Sequence, residues 1–494
     1  MSRAEYYPSK KEFLKLAGKG NVIPVYREML ADFDTPLSAF LKIDKGPFSY
    51  LLESVEGGKH VGRYSFLGSD PSLVIESKGA DMKVRRGPEV ESYKTSTDPI
   101  DEVRSIMKDF RFVPVKGLPR FCGGLVGYIG YDMVRFVEEV PDNNPEELDM
   151  PDMQLVLTDT ILIFDHVDHK IKIVSNAILD GDASGAYDAA VEKIGAIVEK
   201  MRLPVTEPKV STGMTANKVE SNFTESAFGD AVEKAKEYIR AGEIIQIVLS
   251  QRFRRRTGAD PFSVYRALRS INPSPYMYYL KFGDQRIVGS SPEILVRCED
   301  GNVEIRPIAG TRKRGESEEK DIELEKELLA DPKERAEHVM LVDLGRNDIG
   351  RVCEYSSVKT LQLMHIERYS HVMHIVSDIV GKLGKDKDVY DLIRATFPAG
   401  TVSGAPKVRA MELIDELENL RRGLYAGCIG YISFSGNIDM CITIRTIIMD
   451  GDEANIQAGA GIVLDSDPVN EFKETVNKAM AMMKAIDFAE EGLE

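Results

Sequence analysis

The chain has 494 residues, 43% of them apolar, and a formal charge of −16 at pH 7. That length buries a large core, in roughly two to four lobes or one unusually large domain, and the acidity argues against a nucleic-acid or anionic-membrane surface while suiting a soluble protein. Cys122, Cys298, Cys353, Cys428 and Cys441 show no Cys-x-x-Cys spacing and read as reduced core thiols of a cytoplasmic protein; no signal pattern and no bilayer-length apolar run is present.

Residues 1 to about 203 alternate short apolar segments with turns (FSYLLESV, RYSFLG, SLVIES, GGLVGYIGYD, LVLTDTILIFDH, IKIVSNAI), a β-rich lobe with few long helical patterns. Residues 204–222, polar with Pro, Ser and Thr, are the linker or surface loop. The region 223–494 opens with a helix whose stripe is Phe228, Val232, Ala235 and Ile239, stopped by Gly242. The basic run RFRRR (252–256) reads as a solvated edge or an internal pairing site. Strands such as IIQIVLSQRF, YMYYLKF, AGCIGYISF and ANIQAGAGIV then alternate with helices expected near 321–345, 387–396, 406–417 and 468–488. This mixture, without regular βαβ phasing, favours an α+β fold.

Two acidic pairs, Glu334 with Glu337 and Glu471 with Glu474, each follow an Asp-Pro helix start. Residues three apart share a helix face, so each pair aims two carboxylates the same way; if the two faces meet, they form an oxygen-rich site for a hard cation such as Mg2+. Plainer readings stand beside this one. Asp331 can cap the first helix at Pro332, with Glu334 completing a capping box. In the second, Asp467 and Pro468 start a helix with an apolar stripe of Phe472, Val476, Ala479, Met480 and Met483, and Glu471, Glu474 and Lys478 fall on an opposite, solvated face. Three Gly-rich segments, PIAGTRKRG (307–315), FPAGTVSGAPK (397–407) and QAGAGIVLDSDP (457–468), allow backbone N–H groups close to an anion. With Arg445 and Lys478 they point to a small anionic substrate.

The segments LLES (51–54), NPSPYMYY (272–279), SSPEILVR (290–297), RPIAGTRKRG (306–315), EHVMLVDLGRNDIGRV (337–352), RYSHVMH (368–374), PAGTVSGAPKVRAM (398–411), IRT (444–446) and GAGIVLDSDP (459–468) resemble the large subunit, component I, of anthranilate synthase, from about residue 20 to the C-terminus. The resemblance implies a four-layer chorismate-utilising fold, two β-sheets with flanking helices and interleaved lobes, and Mg2+-dependent conversion of chorismate and ammonia to anthranilate and pyruvate. It makes Glu337 and Glu474 the principal Mg2+ ligands, with Glu334 and Glu471 supporting them. Lys478 would grip the ring carboxylate; Tyr425, Arg445 and the backbone N–H groups of Gly459, Ala460 and Gly461 would hold the enolpyruvyl carboxylate, a guanidinium being suited to a carboxylate by its paired donors. Gly310, Thr311 and Thr401 match chorismate-contacting positions.

The same resemblance makes Glu293 the general acid for the departing C4 hydroxyl, a role that needs a raised pKa, and His374 the histidine of pyruvate elimination, with His371 structural. Relatives that add water to chorismate carry a lysine base where this chain has Gln246, and aminodeoxychorismate synthases carry a lysine where it has Ala309, so both substitutions favour amination at C2. Glu53, Ser54, Pro275, Tyr276 and Met277 are the implied tryptophan feedback contacts, and an enzyme needed when tryptophan is scarce suits a chain without Trp. No amidotransferase motif is evident, so the expected partner is a separate glutamine amidotransferase subunit, in a heterotetramer of two large and two small subunits. The alternatives are a sister chorismate enzyme, opposed by Gln246 and Ala309, and a catalytically dead tryptophan-binding regulator, opposed by Glu293, Glu337, His374, Arg445 and Glu474.

Overall fold

The computed structural model describes residues 5–55, 62–207, 218–368 and 372–493. Two antiparallel sheets of twelve strands each form its centre. The first runs, in spatial order, Val22–Leu30, Lys170–Ile178, Thr160–Asp165, Tyr64–Ser69, Phe48–Glu53, Tyr276–Phe282, Gln285–Ser291, Thr446–Asp450, Glu453–Ile462, Gln246–Arg256 and Glu220–Ser221, with Gly404–Ala405 also beside Gln246–Arg256. The second starts at Ile308–Lys313 and Val372–Lys382, passes through Asn302–Ile305, Ile294–Glu299, Ile438–Ile442 and Cys428–Ser433, and ends in strands from the N-terminal half, with Lys359–Arg368 paired to Val372–Lys382. Both sheets therefore mix early and late sequence: Met277 pairs with Glu53 in one and Gly430 with Gly127 in the other.

Three apolar layers follow from strand alternation, which sends successive side chains to opposite faces. Between the sheets lie Tyr50, Phe66, Val126, Tyr278, Ile287 and Tyr431. Outside the first sheet, Leu51, Ile173, Val288 and Ile447 meet helices Lys10–Leu16, Pro36–Ile43, Ala183–Met201, Pro261–Ile271 and Pro468–Glu490. Outside the second, Leu125, Leu155 and Val303 meet Pro99–Met107, Pro332–Gly350 and Val389–Thr396. Helix, sheet, sheet and helix make four layers of an α+β fold. Among the described residues no helix is long and apolar enough to cross a membrane.

Several local expectations change. The 19-residue helix Ala183–Met201 was not expected, because its buried stripe of Tyr187, Ala190, Ile194, Val198 and Met201 is weakened by alanines and glycines elsewhere. The helical region expected near 321–345 is two helices, Glu318–Ala330 and Pro332–Gly350; the second starts at the Asp331 cap and Pro332 as the Asp-Pro signal indicated, and Pro332 has no N–H to continue the first. Met480 is 40% exposed; Thr475, Ala479, Met482 and Met483 form the buried stripe instead. Within RFRRR, Arg252 and Arg255 are buried and internally paired, while Arg256 is exposed. Residues 208–217 of the expected linker, and His371, lie outside the described residues.

Candidate active site

The chain passes from the first sheet to the second at Pro292–Glu293, between strands Gln285–Ser291 and Ile294–Glu299, and returns at Thr443–Arg445, between Ile438–Ile442 and Thr446–Asp450. These two crossings carry Glu293 and Arg445 into one cavity of about 230 Å³. Strands Gln246–Arg256 and Glu453–Ile462, helices Pro332–Gly350 and Pro468–Glu490, and the 397–405 loop close it. The walls bring together Gln246, Glu293, Ala309, Glu337, Thr401, Tyr425, Arg445, Gly459, Gly461, Glu474 and Lys478.

Arg445 is the unusual member. Its φ is +52°, a left-handed conformation costly for a side chain with a Cβ. Its guanidinium makes no hydrogen bond or ion pair with any described residue, and burial lowers its pKa, opposed by Tyr425 and Glu474. A partly desolvated guanidinium whose donors are unused suits an anion. Beside it, burial pushes the Tyr425 phenol up to about 12, keeping it a neutral donor. Gly459 gives that ring room, since a Cβ there would lie 2.5 Å from the Tyr425 hydroxyl, and a Cβ on Gly461 would lie 2.7 Å from the Gln246 amide nitrogen. Lys478 Nζ donates to Gly459 O (2.9 Å) and pairs with Glu474 (2.7 Å). That bond shows Gly459 turned away from the neighbouring strand, so the N–H groups of Gly459 and Gly461 face the cavity. Ala460, by alternation, faces Leu249 in the ladder and buries its methyl in the core.

Glu293 is buried against Thr401, and burial pushes its carboxyl up to about 7, with the Thr401 hydroxyl and the Lys478 ammonium opposing. Thr401 Oγ1 lies close enough to influence that carboxyl yet has no hydrogen-bond geometry to any partner. Gln246 Nε2 donates to Glu337 Oε1 at 3.2 Å while its Oε1 is buried without a partner.

The acidic pairs converge. Burial raises the Glu337 pKa, Gln246 offsets it, and Glu334 and Glu474 raise it further; Glu471 is raised by burial and by Glu474. The Asp331 and Asp467 caps form, accepting from Glu334 N at 3.2 Å and Asn470 N at 2.9 Å. The capping box does not, because the Glu334 carboxylate turns to Arg312 (3.1 Å). Only Glu337 and Glu474 line the cavity, with Glu334 turned to Arg312 and Glu471 outside the lining, and among the described residues no three His, Cys, Asp or Glu side chains are grouped so as to hold a metal by themselves.

Gly310, Thr311 and His374 flank the cavity without lining it. Gly310 has φ +67° at a bulge, and a Cβ there would press on Glu334 Oε2 at 3.0 Å. His374 Nδ1 lies 3.0 Å from both Gly310 O and Thr311 Oγ1. Because a carbonyl oxygen only accepts, the proton sits on Nδ1 and Nε2 carries the lone pair.

A second cavity, about 410 Å³, is lined by Glu53, Ser54, Pro275, Tyr276 and Met277 together with Arg63, Arg120, Arg297 and Cys441. The Glu53 carboxylate is already held by Tyr265 (2.6 Å) and Arg269 (3.1 Å), whereas Ser54 Oγ is buried with no partner. Tyr276 donates to Asp439 (2.9 Å) and accepts from Arg297 (3.1 Å). Sequence reasoning missed the apolar half of the first cavity, Val248, Leu341, Val402 and Ile444, and the buried Arg422 behind it; of these, only the arginine had a signal, an acidic partner four residues earlier.

The fold is that of the chorismate-binding enzymes: residues 48–484 match the family described as chorismate binding enzyme. The chain is 52% identical to anthranilate synthase component 1 of Aquifex aeolicus over 98% of its own length and 99% of that protein. The crystal structure of anthranilate synthase component I from Streptococcus pneumoniae superposes with a TM-score of 0.77 at 37% identity, covering 92% of this chain and 98% of that one. At 19% identity, the menaquinone-specific isochorismate synthase of Escherichia coli shares the fold with a TM-score of 0.70 over 97% of this chain and 99% of that one. The chain belongs to the anthranilate synthase component I family, and it is an enzyme acting on chorismate.

Proposed function

We propose that the chain converts chorismate and ammonia to anthranilate and pyruvate in tryptophan biosynthesis, requires Mg2+, receives its ammonia from a separate glutamine amidotransferase component, and is inhibited by tryptophan. The observation that carries this is the half-buried Arg445 guanidinium, with no ion pair, lining the cavity beside a neutral Tyr425 phenol. Chorismate has two carboxylates. One, on the enolpyruvyl arm, meets Arg445, Tyr425 and the Gly459 and Gly461 N–H groups; the ring carboxylate meets Lys478 and the acidic quartet.

Carboxylates repel a carboxylate, and the raised pKa values of Glu337 and Glu471 mark a cluster that a cation would relieve. Hard oxygen donors suit Mg2+, which is commonly held by one or two carboxylates plus water and substrate. Glu337 and Glu474 would bind it, with Glu334 and Glu471 around them; when bound, it neutralises the ring carboxylate. Glu293, protonated near neutrality, donates to the leaving C4 hydroxyl with Thr401 beside it. The free Gln246 Oε1 accepts an N–H from ammonia attacking C2 but has no basicity to deprotonate water, and Ala309 in the same wall offers no amine for a covalent adduct. His374 Nε2, with the proton held on Nδ1, takes the ring proton as pyruvate leaves.

The orphaned Ser54 hydroxyl and the apolar walls of the second cavity support a tryptophan site. One assay tests the whole reading. With chorismate, Mg2+ and an ammonium salt the chain produces fluorescent anthranilate, glutamine alone does not substitute, and tryptophan suppresses the signal. A hydroxylated, amine-free product would sink it.

A further inference from the structure

Behind the Tyr425 wall lies a buried charge network with no direct part in the chemistry above. Arg422 is 2% exposed, the largest fully buried side chain among the described residues. Its guanidinium pairs with Glu418 (Nε to Oε2, 3.0 Å; Nη2 to Oε1, 2.5 Å) and donates to two backbone carbonyls, Val402 O and Val248 O, each at 2.7 Å. It also lies 5.5 Å from the ring centre of Tyr425 and 4.9 Å from that of Tyr131. Glu418 in turn accepts from the Ser250 N–H and hydroxyl, both at 2.8 Å, and Ser250 Oγ accepts from Gln457 at 2.9 Å.

Each anchor of this network adjoins a cavity residue. Val402 follows Thr401, which faces Glu293. Val248 is two residues along the strand from Gln246. Tyr425 and Gln457 line the cavity themselves. The hydrogen bonds to Val402 and Val248 are made by two different nitrogens of one planar group, so the two carbonyls are held at a spacing set by the guanidinium. A hydrophobic residue of equal volume would fill the space without fixing that spacing, and a desolvated ion pair is in itself weak evidence for a stabilising role.

Resting on the function proposed above, we infer that Arg422 is a positioning residue: from one buried guanidinium it fixes the loop of the general acid's partner Thr401, the strand of Gln246 and the ring of Tyr425 relative to one another. Glu418 holds that guanidinium in orientation and supplies its counter-charge.

The test uses the full chain with chorismate, Mg2+ and saturating ammonium, comparing wild type with Arg422→Lys and Glu418→Gln, each checked for a single cooperative thermal transition. Lysine keeps the charge but cannot span both carbonyls and Glu418 with one planar group. Expected is a rise of about tenfold or more in KM for chorismate, from displaced Tyr425, with a kcat about tenfold lower from displaced Thr401 and Gln246. Glu418→Gln moves both in the same direction by less, and it decides the matter should Arg422→Lys fail to fold. A structural role alone lowers kcat through the fraction of active protein and leaves KM at its wild-type value; that result, or wild-type kinetics in both variants, overturns the inference. A wild-type protein that makes no anthranilate overturns the underlying reading and this inference with it.

Discussion

The backbone N–H of Ser290 donates to the carbonyl of Arg445 at 3.1 Å. Ser290 is also the strand partner of Met277, which lines the second cavity, while Arg445 lines the first. One residue thus joins the two cavities through main-chain contacts on either side. Ser290 Oγ further ties down the turn before Met277, bonding Asn272 O at 2.5 Å and Ser274 Oγ at 2.9 Å. A ligand in either cavity that prefers one placement of this strand biases the other.

Coupling of that kind is reciprocal. The tryptophan inhibition constant is therefore expected to rise with chorismate concentration, by a factor in the usual range of about 5 to 150. Ser290→Ala loosens the Asn272–Ser274 turn and shrinks that factor. Inhibition constants at low and saturating chorismate measure it, and an unchanged factor in the variant excludes the Ser290 route.

Arg445 is strained and partly desolvated at once, two costs that binding a carboxylate would offset. Arg445→Gly removes both, because glycine adopts φ +52° freely. The variant should be more stable than wild type by about 1–3 kcal/mol while losing at least about tenfold in kcat/KM through the missing charge-assisted carboxylate bonds. Denaturant unfolding and initial rates check the two halves separately; a less stable glycine variant would show that the strain is imaginary.

The acidic pairs, their Asp-Pro caps and the strand pattern were all legible in the sequence because each depends on neighbours within a few residues. Glu293 was legible only by resemblance, and Arg445 beforehand only as a candidate cation for an anionic substrate, since what places both is a crossing between two sheets whose strands are paired across more than a hundred residues. Arg422 showed only its acidic partner four residues earlier: an arginine after a helix reads as surface charge, and its carbonyl partners at Val248 and Val402 are set by topology. In RFRRR internal pairing was one of two readings, but the partners were not legible: Asp487 and Glu490 for Arg255, Arg421 O and Gln457 for Arg252. The four carboxylates fell between these extremes, with helix faces readable and convergence not.

Glu293 sets a pH limit. As the general acid of the function proposed above it works in its acid form, so turnover should fall as pH rises through about 7, and Glu293→Gln should lower kcat by about 10²-fold or more. Stability carries the same signature. A pKa raised in the fold means the native state holds a proton that the unfolded chain releases at lower pH, so the contribution is complete below the ordinary glutamate range and lost as pH rises to about 7. By pH 8 the wild type has forfeited about 3 kcal/mol that Glu293→Gln, which cannot ionise, retains. The difference between the two unfolding curves from pH 4 to 8 decides it; parallel curves place the ionisation elsewhere.

The cation reading has a test independent of turnover. In the metal-free protein Glu337 is pushed up by burial and by Glu334 and Glu474, so holding it ionised costs stability, and a bound cation would return that stability by favouring the carboxylate. Mg2+ should therefore raise the wild-type Tm at pH 8 in proportion to the logarithm of its concentration above Kd. In Glu337→Gln the metal-free Tm should be higher than wild type, since an amide replaces a reluctant anion. The Mg2+-induced rise should shrink or vanish, and Glu474→Gln should weaken it as well. Chelation with EDTA should abolish activity and restore the metal-free Tm. Equal Mg2+ stabilisation of wild type and both variants would place the ion away from the two carboxylates.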